Sequence, residues 1–507
     1  MTKNRGLGFD HSTRRIAKHW IFLSVLCLGV FLRVLAMLGN RPIQWFGGDS
    51  DLYVKIAANP FPPGGNPAGY GIFLRILRPL HSFAVVSVVQ HLLGLATGVL
   101  IYAVLTHPPS LSRRRSESSS GAPRWLAALA AAPVLLDAYQ IQLEHLVMAE
   151  SLFIFLITAA IALLGWRAKP SVWQSAAGLF LLALATLTRT VALPVAVIAV
   201  AYLILKRVGW RPMLAAVVAL VSPLLGYAMW FDAHHGKIGI TGADGLYLWS
   251  RAATFADCEK LSVPLDEQVL CPNRAPVEVR QTAPAASQWL WNDWSPLRQL
   301  PGDASSSETN ELARGFALRA ITGQPSDYAA AVGRDVMRSF KWNRDPHPGE
   351  YTVSYYEFAV EDQPLPTEHS SGSLSVAQLA AEYAPMSATQ AVRPYASVIH
   401  SYQKFGFVRG PILALILLFG MIGIARKWRT LGGEAILPLL AAVTLLLVPP
   451  MVADFDHRYV LPAIPLACLA AALAARHYLH PVNAPLATEE SEKSPVRSIL
   501  DASADLT

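Results

Sequence analysis

The stretch most suited to chemistry is Trp45-Phe46-Gly47-Gly48-Asp49-Ser50-Asp51-Leu52-Tyr53, where two carboxylates flank a serine behind a glycine pair that permits a sharp turn. A carboxylate at a membrane surface can act as general base toward a sugar or protein hydroxyl, or help to bind a cation. A plainer reading makes Asp49 a helix N-cap, with Asp51 supporting the first turn. Leu52 to Ala58 then suits a short interfacial helix, and Pro60, Pro62, Pro63 and Pro67 hold an extended path to Gly69-Tyr70. Asp137, Gln140, Gln142, Glu144 and His145 form a second polar group, and Glu150 lies just inside the apolar run that follows. Ionisable groups at such depth are costly, which points to function, although a solvated loop or a structural hydrogen bond is the alternative. Arg189, and Arg458 after Asp454-Phe455-Asp456-His457, each need an anionic partner, either a protein carboxylate or a lipid phosphate.

The elements that must position these residues are apolar. Of 507 residues, 53% are hydrophobic and 15% charged, with a mean hydropathy of +0.35. Ordinary soluble domains carry about 25% charged residues, so a disordered chain and a soluble multidomain enzyme are both excluded. The net charge of +7 comes with no basic helix, finger or RNA-binding signature, so no nucleic-acid partner is expected. A membrane-crossing helix needs roughly 20 apolar residues. Ten runs qualify or nearly so: 18–38, 82–105, 125–142, 146–165, 172–188, 190–205, 212–231, 407–425, 434–452 and 459–478. Basic clusters at Arg113-Arg114-Arg115, Arg167/Lys169, Lys206/Arg207/Arg211 and Arg426/Lys427/Arg429 fall on alternate connections, together with the N-terminal tail. The positive-inside rule then makes both termini cytoplasmic.

This topology predicts a polytopic α-helical membrane protein with two outer regions. The first is the loop 39–81 within an N-terminal transmembrane region 1–231. The second is an insertion, 232–406, read as a mixed α/β extracytoplasmic domain between spans seven and eight. A C-terminal transmembrane region 407–480 and a disordered cytoplasmic tail 481–507 follow, and 106–123 reads as a flexible cytoplasmic linker. In the insertion, Ser305-Ser306-Ser307-Glu308 resembles a capping box and predicts a helix to Ile321. A second helix is expected after Ser326-Asp327, and the tyrosines 351, 355 and 356 are expected in strand packing or stacked on carbohydrate. Cys258 and Cys271 lie on the oxidising side and read as a disulfide, while Cys27 and Cys468 fall in spans as packing residues. His234 and His235 are not at zinc-finger spacing, so no metal site is assigned.

Taken together, Gly48-Asp49-Ser50-x-x-Tyr53, Pro67-Ala-Gly-Tyr70, Glu144 with Ala149-Glu150-Ser-Leu-Phe, Leu187-Thr-Arg189 and Arg458-Tyr459-x-x-Pro462 resemble the C-type superfamily of integral-membrane glycosyltransferases. The nearest resemblance is to the family 39 branch, actinobacterial type. It implies a polyprenyl-phosphate-linked sugar as donor partner, in a mannosyltransferase-like or arabinosyltransferase-like enzyme. It also implies inverting transfer to a hydroxyl on a protein, glycan or lipid acceptor. Carried over, Asp49 is the catalytic base and Asp51 the next candidate. Arg189, His457 and Arg458 would hold the donor phosphate, and Tyr53, Tyr70, Glu144, His145 and Glu150 would line the acceptor pocket. A divalent cation is compatible with the resemblance, but the chain lacks the double acidic motifs of oligosaccharyltransferases. Two other classes fit the apolar composition, a transporter or lipid flippase and a receptor or assembly scaffold. A transporter should place charge pairs near the bilayer midplane, whereas here the ionisable groups crowd the outer ends of the runs.

Overall fold

A computed structural model of the chain describes residues 18–107, 121–300, 306–366, 375–427 and 433–479. The tail 481–507, most of the linker 106–123 and the basic residues before position 18 lie outside them. Each of the ten expected apolar runs is helical. Among the described residues, four helices are long and apolar enough to cross a membrane: Trp20–Gly39, Phe83–Thr106, Trp210–His235 and His457–Arg476. A fifth such segment results if the pair Arg124–Leu136 and Ala138–Glu144, bent by 54°, is one span. The other apolar helices are Glu150–Gly165, Val172–Thr188, Ala192–Leu205, Gly410–Arg426 and Ile436–Val452, all of 17 residues or fewer. Their alanine-rich and leucine-rich faces pack into one continuous core with the Ala463–Leu479 helix near its centre.

The bend has a local cause. Pro133 lies inside the Arg124–Leu136 helix, and Asp137 ends it by accepting the backbone N–H groups of Tyr139 and Gln140, which starts the next helix. The break frees carbonyls at Val134 and Leu135, and the buried Arg33 guanidinium donates to both, at 3.4 and 2.8 Å. A run that reads as one apolar span is therefore two short helices joined at a polar hinge.

The insertion is far more helical than a mixed α/β reading expects. Its only strands among the described residues are β2 (Gln363–Pro364) and β3 (Ala388–Ala391). Strand β3 pairs antiparallel with both β2 and β1 (Asn40–Arg41), giving the order β1-β3-β2. Because β1 belongs to the 39–81 loop, the sheet ties that loop to the insertion. The insertion also divides by packing. Helices Asp244–Ala253, Ala286–Trp291 and Ser307–Gly323 enclose their own apolar core around Trp249 and Phe316. In the later part, Val376–Tyr383 joins the main core against Asp49–Ala58, and Tyr395–Gln403 packs on Trp20–Gly39 in a smaller apolar cluster around Ile399. The disulfide Cys258–Cys271 is formed, with Cys271 buried in the core around Trp249.

Ser306, inside the expected capping box, caps the Ser307–Gly323 helix by accepting from Thr309. The second helix starts slightly early, as Pro325–Arg338, because Pro325 suits the first helical position. The tyrosine segment is not a strand. Tyr351 falls in a short helix, Glu350–Ser354, because the spacing of Tyr351 and Tyr355 matches a helical turn rather than an alternation. Cys468 is a buried packing residue as expected, while Cys27 is exposed on the Trp20–Gly39 helix.

Candidate active site

The 39–81 loop is pinned before it reaches its acidic residues. Gln44 takes part in a short parallel bridge with Leu146, donating its N–H to the His145 carbonyl at 2.8 Å and accepting from the Val147 N–H at 3.1 Å. The Ser50 hydroxyl donates to the Val147 carbonyl at 2.8 Å and accepts from the Phe46 N–H at 2.9 Å. Gly48 then adopts φ +90 as the N-cap of the Asp49–Ala58 helix, a conformation that an L side chain would resist.

The two carboxylates divide their roles here. Asp51 is the helix-capping group: it accepts from the Gly48 N–H at 3.1 Å and from the Trp45 indole at 2.6 Å. Burial raises its pKa above the usual aspartate range, against the lowering effect of those two hydrogen bonds. With capping done by Asp51, the Asp49 carboxylate projects into a cavity. One oxygen accepts from Asn66 at 3.3 Å, and the other lies 2.9 Å from the Arg458 guanidinium.

That cavity measures about 1170 Å³. Asp49, Tyr53, Glu150, Arg189 and Arg458 all line it, brought from four separate segments of chain. Gly69 enables part of this convergence, because a Cβ there would sit 2.3 Å from the Leu187 carbonyl, beside the residue pair that precedes Arg189. Arg189 pairs with Glu150, whose Oε1 also lies 3.7 Å from Arg458. The guanidinium of Arg458 further lies 3.3 Å from Asp456, which accepts from the Tyr356 hydroxyl at 2.7 Å. Both guanidinium groups sit over the Tyr459 ring, at 5.0 and 5.1 Å. The second oxygen of Glu150 is buried and without a hydrogen-bond partner. Two guanidinium groups and two carboxylates thus face one concavity, an arrangement able to hold an anionic group beside a proton acceptor.

The walls differ in character. Val191, Pro194, Leu445, Val448, Val452 and Pro462 give an apolar side built from the membrane-type helices. The insertion gives the other side, with Tyr247, Gln288, Trp291, Asn292, Tyr351 and Tyr355. Arg251 anchors this side to the segment that carries Arg458. It donates to the Ala453 carbonyl at 3.1 Å and to Asp335 at 2.6 Å, and Asp454 next to it accepts from the Ser287 N–H at 2.8 Å.

Four of the expected site residues lie off the cavity wall, and the structure gives each another task. Glu144 is fully buried, where it accepts two hydrogen bonds from Arg33, at 2.7 and 2.8 Å, and pairs with His91 at 3.0 Å. His145 bonds the Asn40 carbonyl and approaches Ser87 and His91 at 2.8 and 3.1 Å. Tyr70 donates to Gln90 at 2.6 Å inside the core. His457 faces the Asp345 carbonyl at 3.1 Å. These groups brace the helices rather than the cavity. Asn66 and Trp291 are cavity residues that sequence reasoning missed, and Tyr247 and Tyr459 line the cavity without a role assigned from the sequence. Tyr459 belongs to the Arg458-Tyr459-x-x-Pro462 motif, and Asn66 directly precedes Pro67-Ala-Gly-Tyr70.

Among the described residues, Asp335, His347 and Asp454 bring potential ligand atoms within 4.8 Å of one another. Arg251 already occupies the cationic position, bonded to Asp335 and 4.0 Å from Asp454, so this trio reads as an ion-pair lattice rather than a metal centre. In comparisons with known proteins, no family model matches the chain and no curated protein matches it.

Proposed function

We propose that the chain is a membrane glycosyltransferase moving a sugar from a polyprenyl-phosphate donor to a hydroxyl acceptor on the outer membrane face, with inversion. The observation that carries this reading is the convergence of Asp49, Arg189 and Arg458 on one cavity between an apolar wall and a polar, aromatic one. The acceptor oxygen attacks the anomeric carbon of the donor sugar, and its proton passes to the Asp49 carboxylate. The bond from that carbon to the phosphate oxygen breaks, leaving its electron pair on the lipid phosphate. Arg189 and Arg458 stabilise the departing phosphate, which strengthens their interaction as negative charge develops. Glu150 and Asp456 hold the guanidinium groups in place before the donor arrives. The apolar wall takes the prenyl chain.

In this reading all ten apolar segments cross the membrane, both termini are cytoplasmic and the insertion lies outside. The shorter helices fall below the length that a ~30 Å hydrocarbon core asks for, and local thinning of the bilayer accommodates them. The site charges favour an enzyme over a transporter or flippase. Asp49 and Glu150 open helices, Arg189 directly follows one, and Arg458 precedes the Ala463–Leu479 helix, so the charges gather at helix ends. The test is transfer by the purified full chain in lipid nanodiscs, offered a panel of polyprenyl-phosphate sugars. At least one donor should give product of inverted anomeric configuration. Movement of the lipid across the bilayer without any sugar transfer would support the flippase instead.

A further inference from the structure

We infer that the wall contributed by the insertion is a carbohydrate subsite, so that the accepting hydroxyl belongs to a glycan chain. This inference rests on the transferase reading above and adds the class of the acceptor. A ledge of aromatic rings runs outward from the Asp49 turn. Phe46 and Tyr355 have ring centroids 5.0 Å apart, Tyr355 and Tyr351 are 5.1 Å apart, and the two tyrosine hydroxyls bond at 2.6 Å. The Tyr355 hydroxyl passes 3.1 Å from where a Gly47 side chain would begin, which places the ledge two residues from Asp49.

The outer rings of this wall are not core residues. Tyr351 is 76% and Trp291 61% exposed, yet both line the cavity. Amide side chains stand among them at Gln288, Asn292 and Asn66. A sugar ring has an apolar C–H face that stacks on an aromatic ring, and an edge of hydroxyls that exchanges hydrogen bonds with amides. One common mode of peptide capture works differently, through main-chain hydrogen bonds along a free strand edge. This wall instead comes from helix ends and turns, Ala286–Trp291 and Glu350–Ser354. Size agrees: about 1170 Å³ exceeds the roughly 300–1,000 Å³ of a pocket for one drug-sized ligand, which leaves room for an acceptor beside the donor headgroup.

The experiment is a binding measurement on the full chain in nanodiscs without donor, by saturation-transfer NMR with mannotriose, an arabinofuranose trisaccharide and a Ser/Thr-rich peptide. At least one trisaccharide should bind, and the peptide should not. Trp291→Ala and Tyr351→Ala should each weaken trisaccharide binding about three- to ten-fold. Trp291→Phe and Tyr351→Phe, which keep a ring, should stay near the wild-type affinity and control for misfolding. Binding of the peptide alone, binding of no trisaccharide, or unchanged affinity in both alanine variants would overturn the assignment. Because the assay needs neither donor nor turnover, its failure is distinct from a failure of the transfer reaction itself.

Discussion

Asp49 and Asp51 carry the same functional group two positions apart, and the turn between them separates their work. Asp51 closes the helix start and is buried against Trp45, which leaves Asp49 facing Arg458 and Asn66. A carboxylate released from capping duty is free to take a proton from a bound hydroxyl. Arg458 should act on donor affinity. In the proposed reading Arg458→Ala removes charge-assisted hydrogen bonds to the phosphate, and it should raise the donor KM about ten- to a hundred-fold, read from initial rates at saturating acceptor. Glu144 should behave in the opposite way. Glu144→Ala strands the buried Arg33 guanidinium, so it should cost about 3–5 kcal/mol of stability, read as a lowered unfolding midpoint. Whatever fraction stays folded should keep its donor KM. The sequence made both residues conspicuous as charges in apolar surroundings. It held no sign of which would meet the cavity, because Arg33 and His91, the partners that claim Glu144, come from other helices distant in the chain.

At the scale of elements, apolar length made the ten helical runs legible, and a serine signature marked the start of the Ser307–Gly323 helix. Two features stayed hidden. The hinge at Asp137 depends on carbonyls satisfied from another helix by Arg33, and the β1-β3-β2 sheet joins segments about 350 positions apart. Strands of two to four residues carry no periodic signal, and long-range pairing fixes them. The same long-range logic holds the Arg458 segment. Arg251, on the Asp244–Ala253 helix, ties Ala453 to Asp335, while Tyr356 holds Asp456. Arg251 is thus a positioning residue that acts through this segment. Arg251→Ala should lower the unfolding midpoint and raise the donor KM together, because Asp335 loses its buried partner and the segment loosens. Arg251→Lys keeps the charge but not the fork, and should recover only part of both losses. A variant that changes stability with no effect on the donor KM would show the tie to be purely structural.

For the whole molecule, the low charged fraction averages nearly uncharged helices with an insertion of more ordinary composition. The net charge of +7 arises in large part from the basic clusters between helices. The insertion is no detached module. Part of it has a core of its own, the rest clamps the 39–81 loop, and both parts complete the cavity from the side opposite the apolar helices. The account therefore requires loop, helices and insertion to act as one machine centred on Asp49. The most direct test compares wild type with Asp49→Asn in nanodiscs, measuring sugar transfer, donor binding and unfolding midpoint on the same preparations. The account predicts that Asp49→Asn binds donor and unfolds like wild type but loses at least about a hundred-fold in transfer, the lower end for a positioned general base. Full transfer by a well-folded Asp49→Asn protein would contradict it.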